Sequence, residues 1–392
     1  MSSFFSLTPW TSMYIKPNGN VYPCESVGWL DHEGYCVGNI EHDTIEKMWN
    51  HPAYKKMRLD VLETNNCAVQ NGQSGLNIGC TYLQLRELYN LDINFYKEGT
   101  SSSGEFPLNL QTLYIERSNI CNLTCVYCNS MSSSSWAKLN KETSIKRIPD
   151  DIYKTKLMPH FDNLKEINIS GGEPVLDPFS EKMLDYLLDY NPEIQINMTT
   201  NLTYDFDNKI TFFDKLSKFK KVPKIACSVD SKETLFETIR RNSSWPLVLN
   251  NLHRLKQYNF YQFFCIAVSV LNCFSLKSFH EFIINEGLAD IDTVRYQPVC
   301  YPEHLSVRSL NTDKKIKLQY YLLIYAGFLK NKELAKTKNG KALDVWCNGG
   351  KILSKAIIDF IDKYLYTKEG NPEYRNTLLK IFSEKLLIDA KL

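Results

Sequence analysis

Between residues 113 and 297 the chain alternates between short apolar runs and longer stretches with helical spacing. Strands that alternate with helices form a parallel sheet, because each helix returns the chain to the end where the next strand begins. Right-handed crossovers curl such a sheet into a partial (β/α)6 barrel, related to the (β/α)8 form. The predicted strands are residues 113–115, 165–169, 194–198, 224–229, 263–271 and 293–297, and the predicted helices are residues 178–190, 210–219, 232–241 and 276–286.

Three cysteines follow the first predicted strand at the spacing C-x3-C-x2-C: Cys121, Cys125 and Cys128. In this class of fold the functional site lies at the carboxyl ends of the strands. Cysteine thiolates hold iron–sulfur clusters, and three of them leave the last iron of a four-iron cube open to another ligand. The alternative is structural zinc, which normally takes four ligands, and neither a second C-x2-C pair nor a nearby pair of histidines completes such a site. The motif therefore favours an iron–sulfur cluster with one open iron.

The bulk composition excludes several classes of partner. The chain has 392 residues and a formal net charge of +2, so charge gives no reason to expect nucleic acid or a membrane surface. The N-terminal residues lack the pattern of a signal peptide, and no apolar run is long enough to span a bilayer. We therefore expect a cytoplasmic, reducing location. Disulfides are rare there, so clustered cysteines indicate metal binding or catalysis.

The cysteine motif, with Tyr127 just before its last cysteine, resembles the cluster loop of the radical S-adenosylmethionine (SAM) superfamily. After the second predicted strand, Gly171-Gly172-Glu173-Pro174 resembles the GGEP motif of that family. The resemblance implies a [4Fe–4S] cluster whose open iron is chelated by the amino and carboxylate groups of SAM, with the GGEP segment receiving the amino group. The residue types suit this role, since glycines allow the backbone to approach a ligand closely and Glu173 can bind an ammonium group.

Polar residues also follow the third and fourth predicted strands. They are Thr200 and Asn201 after the third strand, and Ser228 and Asp230 after the fourth, with Arg240 further along. The resemblance implies that the first pair contacts the methionine or ribose part of SAM, and that Ser228 and Arg240 bind the ribose and the carboxylate. Each of these residues has a structural alternative, because polar residues commonly cap turns at strand ends.

The first part of the chain reads as a small cysteine-rich module. Pro17-Asn18-Gly19-Asn20 between two short apolar runs predicts a hairpin, and residues 44–58 have helical spacing with Thr44 as the N-cap. These segments resemble SPASM/twitch modules, which hold auxiliary iron–sulfur clusters. The resemblance implies one auxiliary cluster of the [4Fe–4S] type, with a chance set of free thiols as the alternative. The candidate ligands are Cys24, Cys36, Cys67 and Cys80.

This module departs from the family pattern in two ways. It precedes the predicted barrel, whereas SPASM modules usually follow it, and Cys67-x12-Cys80 replaces the usual C-x2-C pair. The predicted domains are the twitch/SPASM-like module at 1–96, the partial barrel at 107–305 and a helical C-terminal extension at 306–392, with predicted helices at 315–329, 352–364 and 374–387. A further helix is predicted at 83–89, and the serine-rich residues 132–135 indicate a flexible loop.

The resemblance implies a radical SAM enzyme of the oxidoreductase or transferase type. Such an enzyme reductively cleaves SAM and abstracts hydrogen from its substrate, with flavodoxin or ferredoxin as the electron donor. A peptide or protein side chain is the leading substrate class, because SPASM and twitch relatives often modify ribosomally made peptides. The alternatives are a small molecule, nucleotide or sugar as substrate, or a non-catalytic iron–sulfur electron carrier.

Overall fold

The computed structural model describes residues 6–29, 33–64, 92–142, 146–290 and 293–315, and beyond them residues 317, 318, 321, 322 and 325. The chain divides into two compact units. The first comprises Met1–Ala226 and Arg241–Tyr261, and the second Cys227–Arg240 and Gln262–Leu392. The helices predicted at 83–89, 352–364 and 374–387 lie outside the described residues, as does most of the helix predicted at 315–329.

The first unit begins with a short helix and the predicted hairpin. Helix α1 (Thr8–Thr11) leads into β1 (Ser12–Ile15) and β2 (Asn20–Tyr22), which pair antiparallel. The turn between them requires Gly19, where φ is +81° and a Cβ atom would lie 2.6 Å from Oδ1 of Asn39. Helix α2 (Glu25–Trp29) follows, and β3 (Gly38–Asn39) pairs with β2. The hairpin prediction is confirmed.

The helix predicted over residues 44–58 is divided in two, α3 (Ile45–Trp49) and α4 (Pro52–Thr64). Thr44 caps α3 as expected, since its hydroxyl oxygen accepts a hydrogen bond from the backbone N–H of Lys47 at 3.3 Å. The break precedes Pro52, because proline lacks the N–H that a helix needs and disfavours helical backbone at the residue before it. A later helix of the same unit is α5 (Ile93–Gly99).

A largely parallel sheet runs through the first unit. Strands β4 (Thr112–Glu116), β5 (Glu166–Ser170) and β6 (Gln195–Thr200) are adjacent and parallel. Strand β1 of the hairpin also pairs parallel with β4. The strand order is β3-β2-β1-β4-β5-β6-β7, where β7 is Lys224–Cys227. The N-terminal hairpin is therefore part of the same sheet as the predicted barrel strands.

The connections between these strands are mainly helical, as predicted. The longest of these helices, α8, buries one face, which carries Phe179, Ser180, Met183, Leu184 and Leu187. Asp177 caps that helix by accepting a hydrogen bond from the N–H of Phe179. The helices of this part of the unit are α6 (Ser134–Leu139), α7 (Asp150–Ile152), α8 (Pro178–Tyr190) and α9 (Ile210–Leu216).

The second unit contains α10 (Glu233–Ile239) and the parallel strands β8 (Tyr261–Val268) and β9 (Val294–Pro298), with α12 (Leu276–Asn285) between the strands. Helix α11 (Trp245–Leu255) belongs to the first unit. All of the predicted strands are present, and the predicted α/β class with parallel strands is confirmed, although the described residues show no closed barrel. None of the described helices is both long and apolar enough to cross a bilayer.

Arg58 of α4 lies at the centre of the N-terminal module and is fully buried. Its guanidinium donates hydrogen bonds to the carbonyl oxygens of Pro9 at 2.9 Å, Trp49 at 3.0 Å and Gly104 at 3.2 Å. The group also lies 5.2 Å from the ring centroid of Tyr54. Loss of contact with water lowers the pKa of Arg58 to about 10. Because one side chain satisfies three carbonyl groups, its removal leaves them without partners.

We expect Arg58→Ala to lower the free energy of unfolding by about 3 kcal/mol, the usual consequence of breaking a buried charged network. Urea denaturation followed by circular dichroism measures this loss. The control is Lys56→Ala on the same helix, where an exposed lysine pairs only with Asp60 and the expected loss is below about 0.5 kcal/mol. Equal losses in the two variants would contradict the central role of Arg58.

Candidate functional site

The three motif cysteines lie on the loop that follows β4, and none of them forms a disulfide bond with another described residue. Cys125 is buried, and Cys121 and Cys128 are half-buried. A tight turn joins the last two cysteines of the motif, since the N–H of Cys128 donates to the carbonyl oxygen of Cys125 at 3.0 Å. Tyr127 is half-buried beside it. The loop thus presents three thiols from one short segment at the carboxyl end of a strand.

Residues 133–136, within and just after the stretch predicted as a flexible loop, instead begin helix α6 and hold the cysteine loop. Ser133 caps the helix, accepting from the N–H of Trp136 and donating its hydroxyl to the carbonyl oxygen of Leu123 at 2.7 Å. Ser135 donates to the carbonyl oxygen of Cys121 at 2.8 Å, and Nε1 of Trp136 donates to that of Cys125 at 2.9 Å. The flexible-loop prediction was wrong because these serines act as a cap and as backbone partners.

The glycine pair after β5 lies directly on the cysteine loop. Gly171 has φ +115°, and a Cβ atom there would lie 2.7 Å from the carbonyl oxygen of Ser118. A Cβ atom on Gly172 would overlap the carbonyl oxygen of Ile120. The N–H of Gly172 donates to Ser118 at 3.0 Å, and the N–H of Glu173 donates to Ile120 at 2.7 Å. The glycines therefore allow two backbones to touch, a role that the sequence did not reveal.

Glu173 connects these two loops to the end of β6. It is buried, and its Oε1 accepts hydrogen bonds from the Thr200 hydroxyl at 2.9 Å and the N–H of Val175 at 3.2 Å. Its Oε2 accepts from the N–H of Asn201 at 2.6 Å. Pro174 begins the short helical turn Pro174–Leu176. The structure thus brings the predicted residues Glu173, Thr200 and Asn201 together, and the bond of Glu173 to a ligand ammonium group stays a prediction.

Asn201 extends the network to the cysteine loop. Its Nδ2 lies 3.7 Å from Sγ of Cys121 and 3.2 Å from Oδ1 of Asn122. Its Oδ1 accepts from the N–H of Thr203 at 2.7 Å. The loops that follow β4, β5 and β6 are therefore joined into one hydrogen-bonded assembly at the carboxyl ends of adjacent strands.

Arg117, the first residue after β4, belongs to this assembly and was missed by the sequence reasoning. Its buried guanidinium binds both carboxylate oxygens of Asp177, at 2.9 and 3.0 Å, and also pairs with Asp150. It lies 3.8 Å from the ring centroid of Phe179. The Ser118 hydroxyl donates to the same Asp177 at 2.6 Å. Since Asp177 caps α8, the start of that helix is tied to the cysteine loop.

One face of the sheet beside these loops is polar. Nδ2 of Asn197 donates to Oε1 of Glu166 at 2.6 Å and to Oδ1 of Asn168 at 2.9 Å. The strand register sets Asn168 opposite Tyr114 and Ser170 opposite Glu116, so this face reaches the residues just before the cysteine loop. Burial raises the pKa of Glu116. The sequence signal was the alternation of Ile and Asn in β5 and β6, which the prediction did not use.

The remaining predicted SAM-binding residues lie in the second unit. Arg240 forms an ion pair with Asp230, with Nε 2.8 Å from Oδ2 and Nη2 3.2 Å from Oδ1. Asp230 is fully buried and also accepts from the N–H of Ala267 at 2.7 Å. Ser228 is half-buried just after β7. The arginine and the aspartate thus have structural partners in each other, and their predicted contacts with SAM stay predictions.

Two of the candidate auxiliary ligands share one cluster of side chains. Cys24 is buried among Tyr14, Tyr22 and Tyr114, and Cys36 packs against the same group. Cys67 and Cys80 lie outside the described residues. Among the residues that are described, no three Cys, His, Asp or Glu side chains converge on a point where one metal ion would sit. Thiolates that each bind a different iron of a cluster need not converge in this way.

Two family models match the chain. A model described as the radical SAM superfamily matches residues 115–282, and one described as an iron–sulfur cluster-binding domain, SPASM, matches residues 7–70. The first match includes the cysteine loop and Gly171 to Pro174. The second includes Cys24, Cys36 and Cys67 and ends before Cys80. The predicted order, with the SPASM module ahead of the barrel, is confirmed.

Three curated proteins show sequence similarity. An uncharacterized protein of Methanocaldococcus jannaschii is 28% identical over 269 residues, which are 67% of this chain and 86% of that protein. The GTP 3′,8-cyclase of Sulfurimonas denitrificans is 30% identical over 81 residues, 21% of this chain and 24% of the cyclase.

Solved structures with a similar arrangement include anSMEcpe with bound AdoMet and Streptococcus suis SuiB bound to S-adenosylmethionine. The first has a TM-score of 0.46 at 18% identity, with 58% of this chain covered. The second has a TM-score of 0.41 at 15% identity, with 70% of this chain covered. The chain spans 62% of the length of anSMEcpe and 58% of that of SuiB.

We expect Gly172→Ala to separate the two loops, because the added methyl group overlaps the carbonyl oxygen of Ile120. Reconstituted protein should then lose at least about half of the iron held at the cysteine loop, since the loop no longer has its backbone partner. Iron and sulfide quantification measures this. The control is Gly34→Ala, where a Cβ atom meets nothing within 4 Å. Full iron content in the Gly172 variant would contradict the close contact.

Proposed function

Because the chain carries a radical SAM domain behind an N-terminal SPASM domain, we propose that it is an enzyme that cleaves SAM reductively and modifies a substrate by hydrogen abstraction. When bound, the [4Fe–4S] cluster and SAM supply the chemistry, yielding methionine and a 5′-deoxyadenosyl radical. The observation that carries the proposal is the hydrogen-bonded assembly of the three strand-end loops. In this assembly the loop with the three cysteines lies against the Gly171–Pro174 segment. The loop carries no fourth cysteine, so its thiols fit a cluster with one open iron.

In this proposal Cys121, Cys125 and Cys128 each bind one iron. Cys121 and Cys128 are half-buried, so both residues are partly accessible to a cluster. The backbone N–H groups of Gly172 and Glu173 donate hydrogen bonds to Ser118 and Ile120 and so hold the start of the loop in place. The protein thus fixes the cluster by a rigid support, as metal sites require.

The methionine end of SAM is assigned to the segment from Gly171 to Pro174, with Tyr127 and Thr200 beside it. The Glu173 carboxyl group accepts three hydrogen bonds, which hold it in one position from which it can bind an ammonium group. Asn201 is assigned to the cluster end of the site. Preorganised charge of this kind binds a ligand without the cost of rearrangement.

Ser228, Asp230 and Arg240 are assigned to the ribose and carboxylate of SAM. Arg240 already binds Asp230 through two nitrogens, so the aspartate orients the guanidinium. A guanidinium has further N–H groups, which can bind a carboxylate while the ion pair persists. This assignment rests on the motif resemblance together with that ion pair.

Cys24, Cys36, Cys67 and Cys80 are assigned to one auxiliary cluster. The support is the SPASM match and the packing of Cys24 and Cys36 against the same tyrosines. Such a cluster would take an electron from the substrate radical, which gives an oxidative outcome. Flavodoxin or ferredoxin is the proposed donor of the electron that starts the reaction.

A peptide or protein side chain is the proposed substrate, because SPASM relatives often act on ribosomally made peptides. The polar face formed by Glu166, Asn168 and Asn197 offers hydrogen-bonding groups, and the same face continues through Ser170 and Glu116 toward the cysteine loop. A nucleotide is the second candidate, favoured by the local similarity to a GTP 3′,8-cyclase. The two are separated by measuring whether 5′-deoxyadenosine formation is stimulated by a peptide library or by GTP. Stimulation by GTP alone would overturn the peptide assignment.

Cys125→Ala should abolish the formation of 5′-deoxyadenosine from SAM and dithionite, because two thiolates do not hold the cluster. Chromatographic detection of 5′-deoxyadenosine under anaerobic conditions measures this. The control is Cys300→Ala, which makes the same change in a half-buried cysteine outside both candidate ligand sets. The proposed function is wrong if the Cys125 variant still forms 5′-deoxyadenosine, or if wild-type protein with a full cluster forms none.

Cys24→Ala should lower the iron content by roughly four atoms per chain, from roughly eight to roughly four, if the N-terminal cysteines hold a second four-iron cluster. The cluster at Cys121, Cys125 and Cys128 should persist, so uncoupled SAM cleavage should continue. Iron quantification and 5′-deoxyadenosine formation are measured on the same sample. An unchanged iron content would remove Cys24 from the ligand set.

A further inference from the structure

Asn201 makes an unusual contact for a residue at a strand end. It follows β6 directly, its side chain is buried, and its Nδ2 lies 3.7 Å from Sγ of Cys121, within hydrogen-bonding range for sulfur. Cys121 is the first cysteine of the cluster loop. The contact joins residues that are 80 positions apart in the chain, so no local turn explains it.

The orientation of the Asn201 carboxamide follows from its neighbours. Its Oδ1 accepts from the N–H of Thr203 at 2.7 Å, a group that can only donate. The Nδ2 of Asn122 donates to the carbonyl oxygen of Thr203, which leaves Oδ1 of Asn122 as an acceptor toward Asn201. If the Asn201 amide were rotated by 180°, its NH2 group would face the N–H of Thr203 and its oxygen would face Oδ1 of Asn122. Its NH2 group therefore faces Cys121.

The position of Asn201 is fixed from the backbone as well. Its N–H donates to the buried Glu173 carboxylate at 2.6 Å, and only 6% of the residue is exposed. A donor held in this way gives up no further conformational freedom when the cysteine becomes a thiolate ligand.

Hydrogen bonds to the sulfur ligands of an iron–sulfur cluster stabilise its reduced form, which carries the greater negative charge, and so raise its reduction potential. We propose that Asn201 donates an N–H···S hydrogen bond to Cys121 and thereby raises the reduction potential of the cluster held by Cys121, Cys125 and Cys128. This inference rests on the proposed function. It assigns Asn201 a positioning role that acts through a cysteine.

Two substitutions separate the N–H···S bond from the other bonds of Asn201. Asn201→Ser keeps a side-chain oxygen able to accept from the N–H of Thr203 but does not reach Cys121. Asn201→Asp keeps the shape and the acceptor and replaces the NH2 donor with an oxygen. The control is Asn140→Ser, because the amide of Asn140 donates to Ser130 and not to a cysteine.

The experiment is a redox titration of reconstituted full-length protein without SAM, followed by electron paramagnetic resonance, with iron content measured on each sample. We expect the midpoint potential of the cluster to shift to more negative values in both Asn201 variants and to stay at the wild-type value in Asn140→Ser. If the serine variant fails to take up iron, the same titration of Asn201→Thr decides, because threonine keeps an oxygen acceptor, does not reach Cys121 and, unlike aspartate, adds no charge.

An Asn201→Ser or Asn201→Asp cluster at full iron content with the wild-type midpoint potential would overturn the inference. An equal shift in Asn140→Ser would also overturn it, because the effect would then not depend on a bond to sulfur. The outcome is separate from the proposed function. Wild-type protein that forms 5′-deoxyadenosine supports that function whatever the variants show, and wild-type protein that binds no cluster refutes it directly.

Discussion

The direct contact between the backbones of two strand-end loops is the constraint on which the rest of the site depends. The N–H groups of Gly172 and Glu173 donate to the carbonyl oxygens of Ser118 and Ile120, and no side chain fits between the two segments. A backbone contact of this kind is independent of side-chain rotamers. It therefore fixes the position of the cysteine loop relative to β5. The carboxylate of Glu173 in turn binds Thr200 and Asn201 and so fixes the end of β6 as well.

The buried ion pair of Arg117 and Asp177 reinforces this arrangement from the side of the helices. Desolvation makes such a pair a weak contributor to net stability, but removing one partner leaves an uncompensated charge. The main effect of the ion pair is therefore to fix the positions of the segments that carry it. The Asp177 carboxylate caps α8 and also accepts a hydrogen bond from the Ser118 hydroxyl, so the start of the helix is held next to the cysteine loop. The N-terminal hairpin belongs to the same sheet through the parallel pairing of β1 with β4.

Periodicity and motifs predicted the strands, the α/β class and the loops that carry the site, because these are encoded within short segments. Contacts between segments that are distant in the sequence were not predicted. Arg117 and Asp177 are 60 residues apart, and nothing local links them. Ser133 resembled part of a low-complexity run, although a serine before a helix is a cap signal. The glycine pair was singled out for closeness to a ligand, which stays a prediction, and the structure adds a close contact with another backbone.

The polar face of the sheet, formed by residues of β5 and β6, also departs from the usual pattern of its fold class. Strands of a parallel sheet covered by helices usually read as continuous apolar runs, yet β5 and β6 alternate isoleucine with asparagine. The Ile167 and Ile196 side chains are fully buried, whereas Asn168 and Asn197 bind each other and Glu166. A buried apolar pair in their place would cost less to desolvate. Asn168 and Asn197 therefore break a local rule, which is expected at functional sites. We propose that this face takes part in recognising the substrate, while the strand-end loops hold the cofactors.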